Sequence, residues 1–186
     1  MLYISTRGQG DMQPSAHVIK EGLAKDGGLF VPQRLPSMHV DDILALHSRK
    51  YQECAAKILG YFLTDYTPEE LSECTLKAYE EIKFGNNPVP LVKVSENIDA
   101  LELWHGPTSA FKDMALQLLP RLLTKALIKT GEDTKSVILV ATSGDTGKAA
   151  LEGFANVPDT EIIVFYPSQG VSPMQKKQMT TQAGDN

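Results

Sequence analysis

The chain has 186 residues, of which 42% are hydrophobic and 22% charged, an ordinary composition for one or one and a half globular domains. Its net charge of −5, with no basic cluster, argues against a nucleic-acid-binding protein. No apolar stretch approaches the ~20 residues of a membrane span, and the N-terminus lacks the features of a signal peptide. Cys54 and Cys74 have no CxxC spacing, which favours reduced thiols in a cytoplasmic protein over the alternative of a structural disulfide.

Residues 1–87 are predicted to form a mainly helical N-terminal domain with a short extended start. Residues 2–7 have the pattern of a strand, and apolar residues recur at helical spacing over residues 40–63. The sequence TPEE at residues 67–70 combines a cap, a proline and acids, which favours the start of a helix. This helix is expected to run to about Phe84, where a glycine ends it.

The composition changes at Pro88, and residues 88–186 are predicted to be the first part of an α/β domain. Two strands that follow Pro88 can form a hairpin, and two later apolar runs are typical of parallel strands buried on both faces. Strands that alternate with helices predict an open parallel sheet with flanking helices and right-handed crossovers. The predicted strands are 89–94, 98–104, 136–141 and 161–166, and the predicted helices start near Phe111, Thr146 and Ser172.

The chain stops just after a predicted helix, where the next element of a parallel sheet would be a strand. Two or three parallel strands are few for this type of sheet. We therefore expect the sequence to be the truncated, N-terminal part of a longer protein.

The stretch from Leu103 to Leu119 is predicted to be a strand end, a polar turn and a helix. Thr108 and Ser109 are natural N-cap residues for this helix. From Phe111 onward apolar residues follow in steps of three and four, which predicts one buried helix face. Pro120 lies inside the pattern and is expected to bend the helix.

Lys112 lies in the first turn of this predicted helix. The partial positive charge of a helix N-terminus disfavours a cation there by roughly 0.3–1 kcal/mol and favours the neutral amine. A neutral lysine amine can attack a carbonyl, so Lys112 is a candidate Schiff-base lysine. The alternative is a solvated surface lysine beside Asp113, and the local pattern alone favours that alternative.

The turn at residues 142–147, TSGDTG, joins a buried strand to a helix. In open α/β sheets, ligands bind outside the carboxyl ends of the strands, where such turns lie. Its glycines let the backbone approach a ligand, and its hydroxyls and free N–H groups suit a carboxylate or phosphate. A helix start whose glycines only relieve crowding is an equally acceptable interpretation.

Two nucleotide-binding motifs and metal sites are disfavoured. A P-loop would need glycine at position 142 and Ser or Thr at position 149, where the chain has Thr142 and Ala149. The GxGxxG fingerprint of dinucleotide binding is absent. The histidines show no metal-ligand spacing, so no metal site is predicted.

Several segments resemble the threonine synthase family, whose members are pyridoxal-phosphate enzymes of the tryptophan-synthase β-like fold (PLP fold type II). Residues 105–117, HGPTSAFKDMALQ, are similar to the family's cofactor-lysine segment. Residues 141–154, ATSGDTGKAALEGF, are similar to its second signature. Shorter matches occur in the family's order at residues 3–8, 22–32, 165–179 and 180–186. The resemblance covers nearly the whole chain and is weakest over residues 36–84.

The resemblance implies roles for particular residues. Lys112 would hold pyridoxal 5′-phosphate through a Schiff base and would later move protons as a base. Asp145 stands where related enzymes place an Asn beside the cofactor's 3′-oxygen, and Asp is usual in this subgroup. The remaining turn residues would hold the substrate carboxylate, namely Ser143, Gly144, Thr146 and Gly147.

The implied reaction converts O-phospho-L-homoserine and water to L-threonine and phosphate, a carbon–oxygen lyase step in threonine biosynthesis. A phospholyase-like relative that releases 2-oxobutyrate, or a non-catalytic module, are the alternatives. The family's phosphate-binding loop would lie beyond Asn186. We therefore expect these residues alone to bind the cofactor weakly or not at all and to be inactive.

Overall fold

The computed structural model describes residues 1–186, which form seven strands in three small sheets and nine helices. The strands are β1 (Leu2–Ser5), β2 (Gln13–Pro14), β3 (Phe30–Pro32), β4 (Leu91–Ser95), β5 (Ile98–Leu101), β6 (Ser136–Ala141) and β7 (Thr160–Phe165). The helices are α1 (Ser15–Glu21), α2 (Val40–Leu44), α3 (Tyr51–Phe62), α4 (Pro68–Ala78), α5 (Glu81–Phe84), α6 (Asp113–Leu116), α7 (Leu119–Lys129), α8 (Asp145–Phe154) and α9 (Pro173–Thr180). No helix has both the length and the apolar composition that crossing a bilayer requires.

The chain divides into two compact units. The first comprises residues 1–77 and 121–133, and the second comprises residues 78–120 and 134–186. Most of α7 therefore lies in the first unit, although it comes from the second half of the sequence. The division into domains at residue 87 stays a prediction about the protein.

The first unit begins with a three-stranded antiparallel sheet in the order β2-β1-β3. Asp26 ties the loop before β3 to β1, because its carboxylate accepts hydrogen bonds from Ser5 Oγ (2.6 Å) and from the Gly28 amide (2.9 Å). These hydrogen bonds, led by the one from Ser5, lower the pKa of the Asp26 carboxyl. A Cβ at position 28 would lie 2.1 Å from Ser5 Oγ, which explains the glycine there.

Helix α4 begins as the sequence predicts, but it ends earlier. Thr67 and Glu70 form a reciprocal capping box, in which Thr67 N donates to Glu70 Oε2 (2.8 Å) and Glu70 N donates to Thr67 Oγ1 (3.2 Å). The helix stops at Ala78, and α5 follows as a separate turn, so the prediction of one helix to Phe84 is wrong. Gly85 then ends α5 with a φ of 70°, a conformation that glycine adopts without strain.

Helices α4 and α7 share polar and apolar contacts within the first unit. The Tyr66 hydroxyl donates to the Leu122 carbonyl (3.0 Å) in a buried position, and burial raises the pKa of Tyr66. Glu73 lies between Lys125 (2.6 Å) and Lys77 (2.7 Å), whose hydrogen bonds and charges lower the pKa of Glu73 to about 2. The apolar residues buried here include Leu71, Cys74, Leu123, Ala126 and Leu127.

The second unit contains an antiparallel hairpin and a parallel pair of strands. The hairpin β4–β5 confirms the predicted pairing, with Val92 opposite Ala100. The pair β6–β7 is parallel, with Leu139 opposite Ile163, and α8 is the crossover between the two strands. This βαβ unit confirms the predicted α/β class.

The prediction that β6 and β7 are buried on both faces is wrong within the structure. Alternate residues of each strand are exposed, including Leu139 (66%) and Phe165 (59%), while helix α8 packs against both strands. A continuous apolar run gives no direct information about which faces are covered.

Candidate active site

Lys112 immediately precedes α6 in the second unit. Its carbonyl accepts from the amides of Ala115 (3.1 Å) and Leu116 (2.9 Å), so it is the N-cap residue rather than a residue of the first turn. Its Nζ lies 4.8 Å from the centroid of the Phe111 ring, and that ring is exposed. None of the hydrogen bonds or ion pairs in the structure involves this Nζ, so the amine is available to a ligand.

The predicted caps of this helix are wrong. Ser109 adopts a φ of 58° and lies in a turn, and Thr108 bonds to a side chain instead of capping a helix. The Thr108 amide and hydroxyl donate to the two carboxylate oxygens of Asp113, at 2.8 and 2.7 Å. Asp113 is fully buried, and a Cβ on Gly106 would lie 2.5 Å from its Cβ. This arrangement, the Thr108–Asp113 clasp, fixes the loop that carries Lys112.

The predicted single helix from Phe111 to Leu127 is two helices. α6 ends at Leu116 and α7 begins at Leu119, with Pro120 as its second residue. A proline lacks the N–H that an interior position would use, and it fits the first turn of a helix. The proline therefore separates two helices instead of bending one.

The turn at residues 142–147 lies at the carboxyl end of β6, as predicted. The Thr142 amide donates to the Phe165 carbonyl (2.9 Å), so the turn also adjoins the carboxyl end of β7. Within the turn, Gly144 N donates to Thr142 Oγ1 (3.2 Å) and Gly147 N donates to Gly144 O (2.9 Å). The amides of Asp145 and Thr146 donate to no protein acceptor and can bind an anion.

Close packing explains the two glycines of the turn. A Cβ at Gly147 would lie 2.5 Å from Thr142 Cγ2 and 2.8 Å from Met179 Sδ, so this glycine lets α8 approach β6 and α9. A Cβ at Gly144 would lie 2.5 Å from Gln175 Nε2. Gly144 therefore leaves space for the amide of Gln175, which donates to Asp145 Oδ1 (3.0 Å).

Lys112 and the turn are connected through two packed helices. α6 follows Lys112, α8 follows the turn, and the two helices pack together in the second unit. A Cβ at Gly153 of α8 would lie 2.0 Å from the Leu116 carbonyl oxygen of α6, so only glycine permits this approach. That the Lys112 amine and the turn residues face one ligand stays a prediction.

Two residues of this region were missed at the level of sequence. The sequence indicates Asp113 only as a surface neighbour of Lys112, although the residue is buried and bonded to Thr108. For Gln175, the sequence predicts only that it lies in a helix that starts near Ser172. No sequence pattern predicts the Asp113–Thr108 or the Gln175–Asp145 contact, because each depends on how the chain folds around a turn.

The comparisons with known proteins agree in pointing to one family. A family model of the threonine synthase N terminus matches residues 2–79. The threonine synthase of Pseudomonas aeruginosa is 42% identical over 100% of this chain and 39% of the relative. That of Schizosaccharomyces pombe is 34% identical over 99% of this chain and 37% of the relative.

Solved structures give the same result for the fold. The PLP-bound threonine synthase from Brucella melitensis superposes with a TM-score of 0.88 at 38% identity, over 96% of this chain and 38% of that chain. The threonine synthase from Escherichia coli superposes with a TM-score of 0.86 at 31% identity, over 99% and 41%. The chain thus spans about two fifths of the length of these relatives. Sequence and fold together place this chain with the N-terminal part of the threonine synthase family.

Proposed function

We propose that this chain supplies the cofactor lysine and the substrate-carboxylate turn of a pyridoxal-phosphate-dependent threonine synthase. In this proposal the reaction converts O-phospho-L-homoserine and water to L-threonine and phosphate. The observation that supports it most is the unpaired amine of Lys112, which directly precedes a helix packed against the one that follows the 142–147 turn. The relatives extend well beyond the length of this chain, so the proposal concerns a full-length protein that contains these residues.

The residues present fit the chemistry of this cofactor. A lysine without an ion pair can bond to an aldehyde, and Lys112 has none in the structure. The unpaired amides of Asp145 and Thr146 are suited to a carboxylate, as are the hydroxyls of Ser143 and Thr146. When bound, pyridoxal phosphate supplies an electron sink for carbanions at the substrate's carbon atoms.

Each residue then has a defined task. Lys112 would hold the cofactor through Nζ and would accept and return protons at that atom. Ser143, Gly144, Thr146 and Gly147 hold the substrate carboxylate and so orient the bond that reacts. Asp145 keeps one carboxylate oxygen for a donor on the bound ligand. The open parallel sheet of PLP fold type II is likewise part of this proposal, since β6 and β7 account for only two of its strands.

The test is to incubate the full-length protein with pyridoxal phosphate, reduce it with borohydride and locate the modified lysine by mass spectrometry. We expect a visible absorbance band and modification at Lys112, both lost in Lys112→Ala. Lys148→Ala is a matched control, because that lysine is paired with Glu152 (3.6 Å), and it should keep both signals. A band that survives Lys112→Ala would refute the proposal.

Two further measurements separate the finer predictions. Product analysis should give threonine, whereas release of 2-oxobutyrate would indicate the phospholyase reaction. The 186-residue chain alone should show little or no band, and a strong band lost in Lys112→Ala would contradict the expectation that it binds the cofactor weakly.

A further inference from the structure

Two glutamine–carboxylate hydrogen bonds join α8 to the segment that contains α9. Gln175 Nε2 donates to Asp145 Oδ1, and Gln182 Nε2 donates to Glu152 Oε2, each at 3.0 Å. The two glutamines are seven residues apart, and so are the two carboxylates, a separation of about two helical turns. The two segments therefore run side by side in the same direction and in one register.

The two bonds differ in their surroundings. Gln182 lies at the far end of the pair, beside Lys148, which also bonds to its Oε1. Gln175 lies against the 142–147 turn, in the space that Gly144 leaves open. A Cβ at position 144 would lie 2.5 Å from Gln175 Nε2, so the glycine is required here for space.

The orientation of the Gln175 amide is set from its other side. Ser172 caps α9, because its Oγ accepts a hydrogen bond from the backbone N–H of Gln175 (3.2 Å). The same hydroxyl donates to the side-chain oxygen Oε1 of Gln175 (3.1 Å). With Oε1 engaged in this way, Nε2 is directed to Asp145. Asp145 Oδ1 accepts this bond, and no protein group bonds to Oδ2.

We propose that Gln175 is a positioning residue for the candidate site: it holds Asp145 by one oxygen, directs the other to a donor on the ligand, and supports the turn at Gly144. This inference rests on the proposed function, since it makes Asp145 a ligand contact. The inference implies that the ligand group facing Asp145 is a hydrogen-bond donor, such as a hydroxyl group on a ring or a protonated nitrogen.

The test compares Gln175→Met with Gln182→Met in the full-length protein. Each change keeps the side-chain length and removes one amide–carboxylate bond, so both variants should lose a similar few degrees of thermal stability. Without cofactor, we expect the backbone amides of Gly144 and Gly147 to exchange hydrogen about tenfold faster in Gln175→Met, and at an unchanged rate in Gln182→Met. A tenfold change is the size expected when local opening no longer has to break one hydrogen bond to a charged group. With pyridoxal phosphate, the absorbance band should shift in Gln175→Met and stay unchanged in Gln182→Met.

A second variant reaches the same contact from the other side. Gly144→Ala would place a methyl group against Gln175 Nε2 and move the amide away from Asp145. Gly144→Ala should reproduce the band shift of Gln175→Met. If Gln175→Met does not fold, the band of Gly144→Ala tests the inference in its place. If both glutamine variants alter the exchange and the band equally, or if neither does, the inference is wrong. Loss of the band in Lys112→Ala would show in the same protein that the proposed function itself holds.

Discussion

The contact between Gly153 and α6 allows a quantitative prediction for Gly153→Ala. Helix α8 crosses α6 so closely that a Cβ at position 153 would lie 2.0 Å from the Leu116 carbonyl oxygen and 2.9 Å from its carbonyl carbon. An ordinary contact is about 3.5 Å, so the two backbones would have to separate by roughly 1.5 Å. The atom met is backbone, so no side-chain rotation relieves the overlap.

Two opposing effects set the expected size of the change. Overpacking in a tightly packed region costs about 1–3 kcal/mol, and a clash with backbone belongs at the upper end. Alanine is better than glycine in a helix by about 1 kcal/mol. The net result should be a loss of about 2 kcal/mol in the free energy of unfolding, or a fall of about 4–8 °C in the melting temperature.

Gly60→Ala in α3 is the matched control. The same methyl group is added inside a helix, but its nearest neighbour would be Leu71 Cδ1 at 3.7 Å, an ordinary contact. This variant should be unchanged or more stable by up to about 1 kcal/mol. Thermal unfolding followed by circular dichroism measures both. If Gly153→Ala is as stable as Gly60→Ala, the close approach of α6 and α8 is refuted.

Three further predictions concern the first unit. Glu73→Gln should destabilise the protein above about pH 5 and progressively less toward pH 2. The pKa of Glu73 is lowered to about 2 from an ordinary 4.5. Its ionised pairing with the lysines therefore stabilises the fold fully above pH 4.5, and this stabilisation is lost as the pH falls through 2. Urea titrations across this range check it, and a pH-independent loss would contradict it. Cys74 is buried, and burial raises its pKa to about 11 from 9.0, which lowers its thiolate fraction about a hundredfold. A thiol reagent should therefore label Cys54 first and Cys74 only when the protein unfolds. Peptide mass spectrometry of the labelled protein checks this. Tyr66→Phe should cost about 0.5–1.5 kcal/mol in denaturant titrations, because it removes the buried hydrogen bond from the tyrosine hydroxyl to the Leu122 carbonyl. An unchanged midpoint would contradict a stabilising role for this bond.

Local patterns predicted the elements whose signals lie within a few residues. The capping box at Thr67 and Glu70, the hairpin, the strands β6 and β7 and the helix start near Ser172 all appear close to their predicted positions. Each depends on turn chemistry or periodicity inside one short segment. The carboxyl-edge position of the 142–147 turn follows in turn from the parallel pairing.

Tertiary contacts determined what the patterns could not predict. The helix that follows Lys112 starts at Asp113 and not at the predicted caps. Thr108 donates hydrogen bonds to the Asp113 carboxylate and therefore does not cap a helix. Phe111 has the spacing of a core residue but is 62% exposed, because the chain around it is a turn and not a helix. The Gln175–Asp145 bond joins residues 30 positions apart, and no single-sequence pattern identifies such a pair.

The Thr108–Asp113 clasp also makes the length of this loop a determinant of where the amine points. α6 has only four residues, too few for its own hydrogen bonds to hold the direction of Lys112. One residue added between Thr108 and Lys112 would shift Asp113, and Lys112 beside it, by one position relative to Thr108, so the loop would have to bulge or the Thr108–Asp113 bonds would break. Substitutions at the exposed positions of this loop should therefore be tolerated far better than any change in the number of its residues.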